Sequence, residues 1–199
     1  MVFFCRFERK TMILIICTAL AWFVGCVIVF RLLRMLTTPL FKKIGYYEYW
    51  SSMFFTQQIA FNVYEFHMGT SYDFLFHNDS SKQTLEKVCE GLLGVCNAIE
   101  SGKFSPQDEF YGTMYYFSDK TLQRFGFTVR PLNVLQRCFF FLNLGELSVL
   151  YSLQKKRLEI VNFTNVKIGV IDTKTLLQHK PLFERYLKQF RKEADLVVC

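Results

Sequence analysis

Hydrophobic positions in this chain fall into two long runs, with periodic stretches between and after them. The first run covers residues 11–30, TMILIICTALAWFVGCVIVF, and carries no charge. At about 1.5 Å rise per residue it makes a helix of roughly 30 Å, the thickness of a bilayer's hydrocarbon core. The pattern predicts a transmembrane anchor over 11–34, behind a short basic flank at 1–10. A cleaved signal peptide has a shorter apolar region and ends at small residues. Here Phe30-Arg31-Leu32-Leu33-Arg34 comes next instead, so the anchor is expected to remain.

The second run, 134–153, reads VLQRCFFFLNLGELSVLYSL and includes Arg137, Asn143 and Glu146. A charge at mid-bilayer costs about 2.5–3.5 kcal/mol on insertion scales. This run is therefore expected as a buried or membrane-surface helix rather than a second span. A span would also put the residues after Leu158 on the opposite side from residues 80–130 and split their domain.

Between and beyond the runs the period changes repeatedly. Ser80 or Ser81 caps a helix in which Leu85, Val88, Cys89, Leu92, Leu93, Cys96 and Ile99 recur at helical spacing, and Ser101-Gly102 ends it. Residues 110–117 alternate as a strand. Ser118 caps a short helix that stops at Gly126, and 127–129 reads as another strand. Residues 166–171 give a third strand. Asp172 caps a helix, and Pro181 suits the first turn of a last one striped by Phe183, Leu187 and Phe190. The expected fold class is α+β, an N-terminal transmembrane helix followed by a small mixed helix/sheet domain over 67–199.

Residues 35–66 are crowded with aromatic side chains, among them Tyr46, Tyr47, Tyr49, Trp50, Phe54 and Phe55. Tyr and Trp favour the headgroup layer, so this juxtamembrane segment is expected as a helix, lying on the membrane or packed in the core. Two short stretches look alike, GTSYDF at 69–74 and GTMYYF at 112–117. Both alternate, and they are expected to form two strands of one small sheet, with their rings aligned across it.

Composition adds a location rather than a reaction. The net charge is +7, and 51% of residues are hydrophobic. Basic residues flank the first run: Arg6, Arg9 and Lys10 before it, and Arg31, Arg34, Lys42 and Lys43 after it. That placement favours the lipid bilayer, and with it other membrane proteins, as partners over nucleic acid. From the slight excess after the run, the C-terminal domain is expected in the cytoplasm. Seven cysteines without a CxxC pair agree with a reducing compartment. Cys89 and Cys96 share a helix face, where buried thiols are expected.

No phosphate loop, dinucleotide fingerprint, nucleophile elbow or zinc spacing occurs, and no cofactor or metal is expected. The weak candidates for chemistry are His67, Asp73 and His77, which lie close in sequence near Glu65 and Asp79. The stretch FSDKTLQRFGF, 117–127, resembles the end of an acetyltransferase domain, where a helix leads into an aromatic-tipped strand. The match is short and lacks the pyrophosphate-binding loop, so no family is assigned from it. The expectation is a membrane-anchored accessory or interaction protein. The alternative is a membrane-bound enzyme acting on a lipid or lipid-linked substrate through His67, Asp73 and His77.

Overall fold

The computed structural model describes residues 2–76, 80–115 and 117–198. The chain divides into two compact units, Met1–Leu40 and Phe41–Cys199.

The first unit is helical. Helix α1, Val2–Lys43, contains the uncharged run. Among the described residues it is the one helix long and apolar enough to cross a membrane. From Thr11 on, its apolar side chains are largely exposed on every side, Trp22 by 73%. Thr18 donates its hydroxyl to the Leu14 carbonyl at 2.8 Å, one turn back. In an apolar surrounding that self-satisfaction is what a hydroxyl needs. Gly45, with φ +75°, follows the end of α1. The Phe41 carbonyl accepts the N–H groups of Tyr46 and Tyr47 there.

The second unit is built on a six-stranded mixed sheet of order β1-β2-β3-β4-β6-β5. Its strands are β1, Glu48–Ser51; β2, Phe54–Ala60; β3, Val63–Met68; β4, Glu109–Met114; β5, Thr128–Pro131; and β6, Lys167–Asp172. Strands β1 to β3 form an antiparallel meander, turned between β2 and β3 by Asn62 at φ +59°. Two helices, α2 (Ser71–Phe76) and α3 (Ser81–Glu100), then carry the chain to β4, which pairs parallel to β3. Helix α4, Asp119–Arg124, leads into β5. Helix α5, Val134–Lys155, separates β5 from β6, and α6 (Thr173–Gln178) and α7 (Lys180–Val198) end the chain.

The larger core lies between one sheet face and the helices α3, α4, α6 and α7. Phe54, Phe66 and Phe110 from the strands meet Val88, Leu92, Val95, Leu122 and Phe183. The other face carries α5, through Phe140, Leu132 and Ile168. Met53, Phe74 and Leu150 extend this second layer under α2.

The expected caps and helices of the domain are present. Ser80 and Gln83 form a reciprocal capping box on α3, Ser118 caps α4, and Asp172 caps α6. Two expectations are overturned. Residues 48–68 are three strands, not a helix. Phe54 and Thr56 point into the core while Gln57 and Glu65 pair on the far face, a period of two that excludes a helix. The second correction concerns GTSYDF, where residues 71–76 are helix α2 and not a strand. GTMYYF does begin in a strand, β4, but its neighbours are β3 and β6. The two motifs are therefore not paired.

Helix α5 is confirmed as a helix, and the sheet fixes both of its ends. β5 immediately precedes it, β6 comes after it, and these strands pair antiparallel from Thr128↔Val170 to Pro131↔Lys167. A membrane-crossing α5 would have to break that ladder and the β4–β6 ladder with it.

Candidate functional site

The polar candidates gather on the sheet face shared by β1, β2, β3 and β4, next to the start of α2. Strand pairing creates the arrangement. Tyr49 stands opposite Phe55, and Phe55 opposite His67. Their rings stack in a row, with centroids 4.9 Å apart for each pair and planes within 24° and 17°. The Lys42 ammonium lies 4.2 Å from the centre of the Tyr49 ring, on the opposite end of the series from His67.

Asp73 is buried, 3% exposed, on α2. Its Oδ2 accepts the Thr70 backbone N–H at 2.6 Å, the Thr70 hydroxyl at 2.9 Å and the Tyr49 hydroxyl at 2.6 Å. The Asp73 N–H faces the Thr70 oxygen in return, at 3.4 Å. This is the reciprocal capping arrangement of a helix start, Thr-x-x-Asp. Burial, then the hydrogen bond and charge of Asp73, push the Tyr49 phenol far above its usual pKa. Gly69, at φ +49°, makes the sharp turn out of β3 that lets α2 begin here. Asp73 is thus held by three donors and organises the β3–α2 corner.

His67 and Glu65 stand two apart on β3 and share a face, with Nε2 and Oε2 3.3 Å apart. Nε2 is itself buried and makes no hydrogen bond among the described residues. Tyr111 on β4 stands beside Glu65 in the parallel register. Burial first, and the Glu65 charge second, push its phenol up to about 12. The His67 and Glu65 side chains keep 33% and 23% of their surface open.

The sequence grouped His67, Asp73 and His77. The structure brings His67 and Asp73 to the same side, linked through the Tyr49 and Phe55 rings rather than by a direct bond. His77 lies outside the described residues. Tyr49, Thr70 and Tyr111 were missed as members. Thr70-x-x-Asp73 was available as a capping signal, whereas the Tyr49 and Tyr111 contacts come only from strand register. No group of three or more His, Cys, Asp or Glu side chains able to hold a metal occurs among the described residues.

Ser71, next on α2, bonds Glu146 of α5. That contact gives the one acidic residue of α5 a polar partner against the domain.

No protein-family model, curated protein or solved structure matches this chain.

Proposed function

We propose that the protein is a membrane-anchored accessory or interaction module. Helix α1 holds the chain in a bilayer, and the mixed helix/sheet unit 41–199 stands on the cytoplasmic side. The observation carrying this reading is the apolar stretch of α1, Thr11–Lys43, of whose most apolar window none is buried by the rest of the chain. Such a surface needs lipid or protein to cover it. The buried thiols of Cys89 and Cys96 and the basic residues after the run support the orientation. Asp73, engaged by three donors, supports a structural rather than catalytic use of the strongest polar candidate. Alkaline carbonate washing of membranes tests the anchor: the full chain is expected in the pellet, and release into the wash would refute it.

A second reading, a membrane-bound transferase acting on a lipid or lipid-linked acceptor, is favoured by the topology. The step from α4 into β5 is formed where residues 117–127 resemble the end of an acetyltransferase domain. Around it lie an antiparallel meander, a helical crossover to a parallel strand, and a last strand inserted beside that one. Strands β3 and β4 stop pairing after Glu65 and Tyr111, and ligands of open sheets favour the carboxyl ends of parallel strands. On this reading Glu65 and His67 supply the base. Thiol release from acetyl-coenzyme A by the full chain, with membrane lipid extract as acceptor, distinguishes the readings. Release that Glu65→Gln abolishes without altering the melting curve would displace the interaction reading.

A further inference from the structure

The outward face of α5 is apolar over its whole length. Val134, Leu135, Phe141, Leu142, Val149 and Leu153 are between 47% and 79% exposed. At 100° per residue they fall on one side of the helix, opposite Phe140, Leu144 and Leu147, which pack on the sheet. In the loop after α5, Leu158 and Ile160 are also exposed, by 99% and 77%. The helix is therefore sandwiched, apolar toward the sheet and apolar away from it, and a patch of this extent marks an interaction surface.

The charges around the patch point to its occupant. Arg137 and Lys155 lie about five turns apart at the same azimuth, along one flank of the apolar stripe. Lys156 and Arg157 continue from Lys155, both exposed. Of the nearby carboxylates, Glu159 pairs with Arg157, which leaves Arg137, Lys155 and Lys156 as the cations of the rim, and Glu146, hydrogen-bonded by Ser71, lies on the opposite flank. The rim thus presents cations near both ends of the helix. A second copy meeting this face antiparallel across a two-fold axis would set like charge against like. An anionic lipid surface complements it, taking the apolar stripe at the acyl boundary and the cations at the headgroups.

We infer that α5 lies in the plane of a membrane containing anionic lipid, as a second, non-spanning contact of the chain with the bilayer. The inference rests on the anchored reading of α1. The chain supplies only two tryptophans, Trp22 on α1 and Trp50 on β1, so inserted tryptophans can be read against a small background.

The test uses the full chain in vesicles of phosphatidylcholine with or without phosphatidylglycerol, made with brominated acyl chains that quench tryptophan. In the otherwise native chain, loss of quenching on Trp22→Phe reports that the anchor is inserted. On that Trp22→Phe background, Val149→Trp is expected to be quenched by bromines near the headgroups. Lys188→Trp, on an exposed turn of α7, is expected to stay unquenched. Adding Lys155→Gln, Lys156→Gln and Arg157→Gln is expected to lower quenching of Val149→Trp to the level seen without phosphatidylglycerol. Three results would overturn the inference while Trp22 still reports an inserted anchor. One is no quenching at Val149→Trp. Another is shielding of Val149→Trp from both bromine and aqueous iodide, which assigns the face to protein. The last is equal quenching with and without the anionic lipid.

Discussion

Cys89 and Cys96 face the core from one side of α3, both fully buried, and burial pushes each thiol up to about 12. An unfolded thiol ionises near 8.5. Between those values the folded chain holds protons that the unfolded chain has released, so stability must fall as pH rises. Tyr111, up to about 12, acts with the same sign above the ordinary phenol value of about 10. Denaturation of the full chain in micelles, followed by Trp50 fluorescence on a Trp22→Phe background, should show stability level below about pH 8 and declining toward pH 12. Each thiol should contribute a slope of about 1.4 kcal/mol per pH unit in that window. Cys89→Ala should flatten the decline, and an unchanged slope would show that this thiol is not protected. Asp73 gives a second test at the same scale. Asp73→Ala leaves the Thr70 N–H and the Tyr49 hydroxyl without their acceptor, and each buried orphan costs about 1–3 kcal/mol. A loss of about 2–6 kcal/mol is expected. A change within about 0.5 kcal/mol, as at an ordinary surface site, would remove the structural role argued for Asp73.

Among the elements, α3 sits unusually close to the meander because of Gly91 and Gly94. A Cβ at Gly91 would lie 2.4 Å from the Phe54 ring and 2.6 Å from its Cβ. The near part of the Phe54 side chain cannot swing away cheaply, so overpacking of about 1–3 kcal/mol should exceed the helix gain of about 1 kcal/mol. Gly91→Ala should lower the melting temperature of the unit; a raised one would mean that β2 yields freely. Elements with strong end signals were legible: Ser80, Ser118 and Asp172 each mark a helix start, and each caps one. The meander was not legible because its aromatic crowding suits a membrane interface as well as a sheet. The turn at Asn62 that divides it has none of the usual Gly or Pro marks. GTSYDF misled for a specific reason. Its alternation is that of a strand, but Thr70 and Asp73 form a cap, and local hydrogen bonding outweighed the period. GTMYYF has Tyr116 in place of that carboxylate, and Gly112 and Thr113 stay in β4.

Taken whole, the molecule carries two apolar helical surfaces of different kinds. That of α1, from Thr11 on, is largely exposed on every side and long enough to span a bilayer. That of α5 is one-sided, fixed to a sheet whose strands come from before and after it. The runs were visible in the sequence as apolar stretches of similar length. The charge of Glu146 hinted at their difference, and the β5–β6 ladder accounts for it. The polar face around Glu65 and His67 was half legible. Their spacing lies within one strand, while Tyr49 and Tyr111 reach them only through pairing. On the anchored reading proposed above, the chain crosses the bilayer once, with everything after α1 on one side. Reporter fusions placed after residues 130 and 160 test it most directly, since they bracket α5. Both reporters are expected in the cytoplasm; reporters in opposite compartments would mean that α5 spans and would contradict the account.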